Sequence, residues 1–306
     1  MQKNDAGTCQ TGNDKKNSNT KTGNRRLDKY LSAGLFKEDK NGNKYTRATH
    51  VAELKEAYSL VYKIFIEQKF ISERKSKMRI RPWETSQSTA TFVSKKHNVI
   101  NGVFSMIMDS HDLKLPSDRV YGMEIEKKRN DEKIICELTN QAIVKDARLN
   151  AVSTQLMRCV FAQAWHMDAT DLICSISPGQ KAFFELIGFV QVGDKKSYSD
   201  IIEDPVVLMW LEDIQNRWIS IDKKRDPLRG FWQDFFITNN QYMETIEYWN
   251  AAAATTFNNT EQLGILFEQC EELFYEATSS QLIAMQTRLG DAIDFDKFHK
   301  TQKRKN

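Results

Sequence analysis

One carboxylate stands inside an apolar run and is the residue best suited to acid–base chemistry. Glu137 follows the apolar residues 134–136 and precedes Leu138, a density of apolar residues that favours a buried strand. Burial disfavours a charged carboxylate and would raise its pKa toward the range that is useful to a general base. The alternative is that strand alternation turns Glu137 toward a solvated face of the sheet.

Histidine and cysteine, the usual ligands of zinc, are not spaced as they are in metal sites. The five histidines include no H-x-x-x-H pair and the five cysteines no C-x-x-C pair, so we expect no metal. His111 lies between Ser110 and Asp112 and is a weaker base candidate, because a loop histidine is usually exposed and idle. Three cysteines lie in apolar runs, which favours reduced, structural thiols.

The charge of the chain is nearly balanced. The sequence has 44 basic and 41 acidic residues and a net charge of +3, which provides little attraction to nucleic acid or to an anionic membrane. No segment approaches the roughly 18 apolar residues that span a bilayer, and no secretory signal is recognisable. We therefore expect a cytoplasmic protein with no nucleic-acid partner and no transmembrane segment.

Composition divides the chain into three parts. Residues 1–45 are predicted to be a mostly disordered polar tail, because 2–26 contain no Val, Ile, Leu, Phe, Trp or Tyr. Residues 46–213 show the patterns of a folded domain. Residues 214–306 have helix-spaced aromatic and apolar residues, which predicts an all-helical extension. Its apolar stripe is expected to be core or the face of a partner helix, with binding to a lipid or polymer surface as the alternative; it consists of Leu263, Leu266, Phe267, Cys270, Phe274 and Ala277.

Hydrophobic periodicity in the first part of the domain predicts a helix followed by a strand pair. The helix begins after Thr49, which is its expected N-cap. Residues 91–93 and 99–108 are short β-branched and aromatic runs with a polar stretch between them, which is typical of an antiparallel pair.

The second part of the domain predicts a βαβ unit. The run around Glu137, a helix from about Asn150 and the run 172–176 follow one another, and such a unit is normally parallel and right-handed. A further helix is expected from Pro178 to Gly188, because glycine takes the left-handed conformation that ends many helices. Two last strands, near 189–192 and 206–211, complete an α+β arrangement.

Several segments, read in order, resemble a known family. They are LVYKIF (60–65) with QKFI (68–71), TFV (91–93), GVFSMIMD (102–109) with LP (115–116) and Glu124, ELTNQAI (137–143), and SP (177–178) through GF (188–189). This series resembles the N-acyl amino acid synthases of the FeeM type. The resemblance implies a GNAT-like acyltransferase fold, a mixed twisted sheet flanked by helices, here with the all-helical C-terminal extension.

The activity that the resemblance implies is transfer of a long-chain acyl group from acyl carrier protein to an amine, usually that of an amino acid. Acyl-homoserine lactone synthases share the fold and the donor class, and are an alternative. Glu137 is then expected to be the base or a substrate anchor. Asp109 and Glu124 could hold the ammonium group, unless they are turn-forming or solvated carboxylates. Arg148 and the helix N-terminus near Ala151 are expected to face the pantetheine.

The expected donor follows from a missing motif. Coenzyme A users of the GNAT fold commonly carry R/Q-x-x-G-x-G/A, whereas residues 148–153 read RLNAVS and lack both glycines. We therefore expect no bound cofactor, and the acyl-phosphopantetheine arm of a carrier protein rather than coenzyme A as the donor. Carrier proteins are acidic, and basic residues could form a docking patch unless they are simply solvated. The candidates are Arg79, Arg81, Lys127, Lys128 and Arg129.

Two positions depart from the family pattern. Many relatives place Arg three residues after the strand Glu, where this chain has Asn140, and Tyr near the end of the late helix, where it has Phe184. These departures leave a further alternative, a non-catalytic protein that uses the fold for binding and its extension for assembly into a homo-oligomer.

Overall fold

The computed structural model describes residues 24–148, 151–199, 202–219 and 221–302. The strands are β1 (Lys44–Arg47), β2 (Thr89–Lys96), β3 (Val99–Met108), β4 (Ile135–Ile143), β5 (Asp171–Ile176), β6 (Val190–Ser199) and β7 (Ile202–Leu211). The helices are α1 (Arg25–Ser32), α2 (Val51–Glu67), α3 (Asp118–Asn130), α4 (Val152–His166), α5 (Lys181–Ile187), α6 (Pro227–Gln233), α7 (Ile246–Asn258), α8 (Thr260–Glu268), α9 (Glu271–Glu276), α10 (Ser279–Leu289) and α11 (Phe295–Gln302).

The seven strands form one mixed sheet in the order β1-β2-β3-β4-β5-β7-β6. Strands β4 and β5 are parallel, and the other neighbouring strands are antiparallel. The turn between β2 and β3 uses His97 and Asn98, whose φ angles are 51° and 63°. Positive φ at both central residues gives the twist that a two-residue hairpin needs. The predicted hairpin and βαβ unit are thus confirmed.

Strands β4 and β5 separate after a short parallel contact. Within the described residues their pairing ends at Glu137 opposite Ile173, although both strands continue. Strand β4 also carries a bulge, because its register against β3 shifts next to Ser105 and Asn140 has a φ of 52°. A bulge bends its strand and re-aims side chains, and the sheet opens beside Glu137.

Helices cover both faces of the sheet. Helix α4 packs on one face, the α4 face, whose core includes Phe104 and Leu138. Helices α2 and α3 pack on the opposite face, the α2 face, which carries Val103 and Ile107. Glu137 lies opposite Ile107 in the β3–β4 register. Since cross-strand partners point to the same face of a sheet, Glu137 points toward α2 and α3.

The predicted helix ends are close to those observed. Helix α2 has His50 as its N-cap, so the assignment of Thr49 to that position is wrong by one residue. Thr49 instead donates its backbone N–H to the carboxylate of Glu53 at 2.8 Å, which explains why it looked like a cap. Helix α5 ends as predicted at Gly188, which has a φ of 111°.

The N-terminal part is more ordered than its composition predicts. Residues 1–23 lie outside the described residues, but residues 24–45, also expected to be a disordered tail, contain α1 and the start of β1. Leu27 and Phe36 are buried in the core of the α4 face, and Phe36 stacks on Phe183 with ring centroids 5.3 Å apart. Two well-placed apolar side chains therefore order a segment that is otherwise polar.

The C-terminal helices share buried cores with the rest of the chain. Trp218 and Trp232 pack into the core of the α4 face, whereas Leu263 and Phe267 pack against α2. The predicted apolar stripe is core, but Cys270 interrupts its helix to give α8 and α9. Self-association remains a prediction that would need another surface. None of the described helices has the length and apolar character needed to cross a membrane.

Candidate active site

A cavity of about 1820 Å³ lies where β4 and β5 separate. Its lining includes Phe104 and Met157 from the α4 face and Ile64 from the α2 face, so the cavity passes through the opening in the sheet. Glu137 and Asn140 line it as well. The volume exceeds the roughly 300–1,000 Å³ of an ordinary small-molecule pocket, which leaves room for more than one ligand.

Glu137 lies buried on the wall of this cavity, with 2% of its surface exposed. One carboxylate oxygen accepts from the backbone N–H of Ser117 and the other from its hydroxyl, both at 2.9 Å. The Ser117 hydroxyl lies 2.7 Å from that of Ser175 on β5. Burial raises the pKa of Glu137 to about 7, although both bonds from Ser117 and the charge of Arg81 lower it. The solvated-face alternative is wrong, and this carboxyl can exchange a proton near neutral pH.

Two arginines expected at a docking patch are buried in the cavity wall instead. Arg79 donates from Nη1 to Oδ1 of Asn140 at 2.5 Å, and Arg81 donates from Nη2 to Oε1 of Glu84 at 2.5 Å. The Asn140 amide nitrogen donates to the same Glu84 oxygen at 2.9 Å, which joins the two pairs. Burial alone would raise the pKa of Glu84, but Arg81 holds it below its usual range. Arg79, Asn140, Arg81 and Glu84 thus form one connected polar network in the cavity wall.

The two departures from the family pattern have structural counterparts. Asn140 occupies the position where relatives have Arg, yet Arg79 from a different segment brings a guanidinium to the same point. Phe184 lines the cavity and has no hydroxyl to offer. A hydroxyl is supplied from β5 by Ser175, which also lines the cavity. A guanidinium therefore lies at Asn140, and a hydroxyl is present on the cavity wall.

The carboxylates of Asp109 and Glu124 are held in ion pairs. Asp109 accepts two bonds from Arg129, at 2.6 and 2.8 Å, and Asp118 accepts two more from the same guanidinium at 2.6 Å. Glu124 pairs with Lys196 at 2.6 Å. Neither Asp109 nor Glu124 lines the large cavity. This placement favours structural roles for both residues.

Arg148 lines the cavity, whereas Ala151 does not. Arg148 donates from Nε to the carbonyl of Ile143 at 2.9 Å. Ala151 is the buried N-cap of α4. A role of these two residues toward pantetheine stays a prediction.

The remaining basic candidates lie on or near α3 and differ in their availability. Lys127 is exposed, whereas Lys128 pairs with Glu212 and Arg129 is held by its two aspartates. His111 lies at the cavity rim, and its side chain is fully exposed. Of the three candidate cations on α3, Lys127 has the side chain that is most open to a partner.

The sequence offered little signal for the residues that complete the site. Ser117 and Ser175 come from a helix N-cap and a strand, 58 positions apart, and neither belongs to a recognisable motif. Arg81 and Glu84 are spaced like a capping pair, and their side chains do bond within one turn. That spacing could have indicated a local ion pair, but not its position on a cavity wall.

Cys136, Cys159, Cys174 and Cys270 are buried free thiols, as predicted, and Cys9 lies outside the described residues. Within the described ranges, no group of three or more His, Cys, Asp and Glu side chains could hold a metal ion.

Comparison with known proteins identifies the family. The family model for the N-acyl amino acid synthase FeeM matches residues 56–212, a little over half of the chain. No curated protein matches. The solved structure of FeeM, an N-acyl amino acid synthase from uncultured soil microbes, is 22% identical, and the alignment covers 57% of this chain and 92% of that chain with a TM-score of 0.50.

Two further solved structures align with lower TM-scores. A CoA-dependent acyl-homoserine lactone synthase, BjaI, with MTA, is 14% identical, with 62% of this chain and 90% of that chain covered and a TM-score of 0.43. An acetyltransferase of the GNAT family from Streptococcus pneumoniae is 15% identical, with 56% and 98% covered and a TM-score of 0.38. The chain has a GNAT-like fold, belongs to the FeeM family of N-acyl amino acid synthases, and is an N-acyltransferase.

Proposed function

We propose that the enzyme transfers a long-chain acyl group from acyl carrier protein to the α-amine of an amino acid. The observation that carries this proposal is the position of Glu137, a buried carboxyl with a pKa of about 7, in a cavity that joins an apolar compartment to one lined by Arg79 and Arg81. An apolar compartment suits an acyl chain, and guanidinium groups suit an acceptor with a carboxylate.

The acyl chain is assigned to the compartment on the α4 face, the acyl branch. Its apolar lining can remove a hydrocarbon chain from water, which stabilises binding by about 0.8 kcal/mol for each buried CH₂. Arg148 and the first turn of α4 lie beside this branch and would receive the phosphopantetheine. The apolar residues that line the acyl branch are Leu35, Phe104, Ile143, Met157, Ile176, Phe183 and Phe184.

The acceptor is assigned to the compartment on the α2 face, the acceptor branch. Arg79 and Arg81 line this branch, and a guanidinium binds a carboxylate through charge-assisted hydrogen bonds. An α-amino acid whose carboxylate faces these guanidiniums carries its amine on the adjacent carbon, near Glu137. Proximity of this kind lowers the barrier to attack on a thioester.

In the proposed reaction, Glu137 takes a proton from the acceptor ammonium and so frees the nitrogen lone pair. The nitrogen attacks the thioester carbonyl, the C–N bond forms, and the C–S bond breaks as the tetrahedral intermediate collapses. The nitrogen loses its second proton and the departing thiolate gains one, which leaves an amide and a free phosphopantetheine thiol. The hydroxyls of Ser117 and Ser175 link Glu137 to the β5 side of the opening and offer a route for that proton.

A carrier protein is favoured over coenzyme A because residues 148–153 lack the glycines that let backbone N–H groups approach a pyrophosphate. Docking of an acidic carrier is assigned to the exposed end of α3. Lys127 is its most accessible cation, with Lys128 beside it. Arg79 and Arg81, which the sequence suggested for the docking patch, are assigned to the acceptor branch instead.

The experiment that tests this proposal compares each amino acid with its carboxamide, which keeps the amine and lacks the carboxylate. Steady-state kinetics with acyl carrier protein as donor should show a higher kcat/KM for the amino acid by roughly tenfold or more, as expected for a charge-assisted pair of about 1.5–3 kcal/mol. Arg79→Gln should remove most of this preference. Arg225→Gln, at an exposed arginine, is the matched control and should retain it.

Equal rates with the amino acid and the carboxamide would overturn the assignment of the acceptor branch. A kcat/KM with acyl-coenzyme A equal to that with acyl carrier protein would overturn the assignment of the donor.

A further inference from the structure

The C-terminal helix α10 lines the acceptor branch. Five of its residues line the cavity, and all but Gln281 have the spacing of one helix face: Ser280, Gln281, Ile283, Ala284 and Thr287. The adjacent face of the same helix is buried in the core with Leu282, Met285 and Leu289. The family match ends at residue 212, so α10 is a wall that this chain adds to the family domain.

Contacts from α9 hold this wall in place. Glu276 pairs with Arg74 at 2.6 Å, and Glu272 accepts the backbone N–H of Ser76 at 3.2 Å. Helix α10 then begins at a capping box of Thr278 and Gln281. The segment anchored by α9 continues directly into the arginines of the acceptor branch, and the position of α10 is coupled to theirs.

Near α10 and the end of α2, the cavity wall combines apolar side chains with polar ones such as Gln68 and Gln281. Phe65 and Phe70 pack edge to face, with ring centroids 5.7 Å apart, and both line the cavity together with Ile71. Ile283 also lines the cavity, although 61% of its surface is exposed. A large apolar side chain that remains exposed at a cavity wall gains free energy when an apolar group of a ligand covers it.

The apolar wall begins directly beside the cationic group. The guanidinium carbon of Arg79 lies 4.7 Å from the centroid of the Phe65 ring. In an α-amino acid the carboxylate and the side chain share one carbon atom. A carboxylate at Arg79 therefore places the side chain of the amino acid close to Phe65, in the cavity that α10 also lines.

We infer that α10, through Ile283 and Ala284, forms a subsite for the side chain of the acceptor, and that the preferred acceptor is an amino acid with a large apolar side chain. This inference rests on the proposed function. It assigns a selectivity role to a segment outside the family domain.

The test measures kcat/KM for glycine, alanine, leucine and phenylalanine with one acyl carrier protein donor. Ile283→Ala should lower kcat/KM for leucine and phenylalanine by roughly tenfold and leave glycine within about twofold, since lost apolar contacts in a pocket change discrimination by about 10–200-fold. Ile265→Ala is the matched control, because Ile265 is also an exposed isoleucine of the C-terminal helices (59%) and does not line the cavity. It should leave all four values unchanged.

A second variant adds volume at the same wall. Ala284→Leu should lower kcat/KM for phenylalanine and leave glycine unchanged. The preference among donors of 8 to 16 carbons should be the same in all variants.

The inference is overturned if Ile283→Ala changes the four acceptors equally or not at all, or if it shifts the preferred acyl length instead. If the wild-type enzyme acylates no amino acid, the proposed function fails and the inference with it. If the enzyme is active but Ile283→Ala leaves its selectivity among acceptors unchanged, only the inference about α10 fails.

Discussion

Replacing Glu137 with Gln removes a charge from a buried position at nearly constant shape. In the folded wild-type protein the pKa of this carboxyl is about 7, against an ordinary value of 4.5, because burial penalises the ionised form. At about 1.36 kcal/mol for each pKa unit, ionising Glu137 inside the protein costs roughly 3 kcal/mol. The Gln variant avoids this cost.

The predicted effect on stability depends on pH. Below about pH 4.5 the carboxyl is protonated in both the folded and unfolded states. The ionisation of Glu137 should then make no difference between the stabilities of the wild type and the variant. Between about pH 4.5 and 7 the unfolded state releases its proton before the folded state does, so the wild type loses stability as the pH rises. Above pH 7 the variant should exceed the wild type by roughly 3 kcal/mol.

The effect on activity has the opposite sign. Loss of a general base typically lowers the rate by about 10²–10⁴-fold, and the kcat/KM of the wild type should fall roughly fivefold between pH 7 and pH 6 as Glu137 becomes protonated. Urea unfolding from pH 4 to 9 and thiol release from the acyl donor measure the two effects. Glu67→Gln, at an exposed end of α2, is the control for general loss of a carboxylate.

Two results would refute this reasoning about Glu137. The stability difference between the wild type and Glu137→Gln could be the same at every pH, which would mean that burial does not shift this pKa. Alternatively, the variant could keep a kcat/KM within about threefold of the wild type, which would remove Glu137 from the chemistry.

Two further predictions concern the architecture around the site. Arg129→Ala leaves two carboxylates without their shared cation, and should lower the free energy of unfolding by roughly 3 kcal/mol in urea titration. Lys127→Ala should change the free energy of unfolding by no more than about 0.5 kcal/mol. Equal effects of the two changes would contradict the structural role of Arg129. Removal of residues 214–306 should give an unfolded or aggregated protein by circular dichroism and light scattering, because Trp218 and Leu263 belong to the shared cores. A soluble, cooperatively folded fragment would contradict the conclusion that residues 1–213 need these shared cores to fold.

Much of the fold is predictable because its strands and helices are local patterns. Alternation and β-branched runs locate β2, β3 and β5, and Gly188 marks the end of α5. The N-terminal segment was missed because its order depends on single side chains. Leu27 and Phe36 insert into a core formed by distant residues, and no local periodicity reports such an insertion.

The site is less predictable because its parts meet only in the folded chain. The burial of Glu137 follows from its apolar strand, whereas the bulge at Asn140 depends on pairing with β3 and leaves no local signal. Arg79 and Arg81 lie in a basic loop, which is usually solvated. In the folded chain this loop lies next to α10 and α2, and the guanidinium groups of Arg79 and Arg81 form part of the cavity wall.

The most direct test of the central claim is the identity of the product. Purified enzyme is incubated with acyl carrier protein carrying a long-chain acyl group and a mixture of ¹⁵N-labelled amino acids, and the lipid extract is analysed by mass spectrometry. The account predicts an N-acyl amino acid that carries one ¹⁵N-labelled amide, in amounts at least about 10²-fold lower with Glu137→Gln. An active enzyme that yields an acyl-homoserine lactone or an acylated amine without a carboxylate, or one whose N-acyl amino acid product is unaffected by Glu137→Gln, would contradict it.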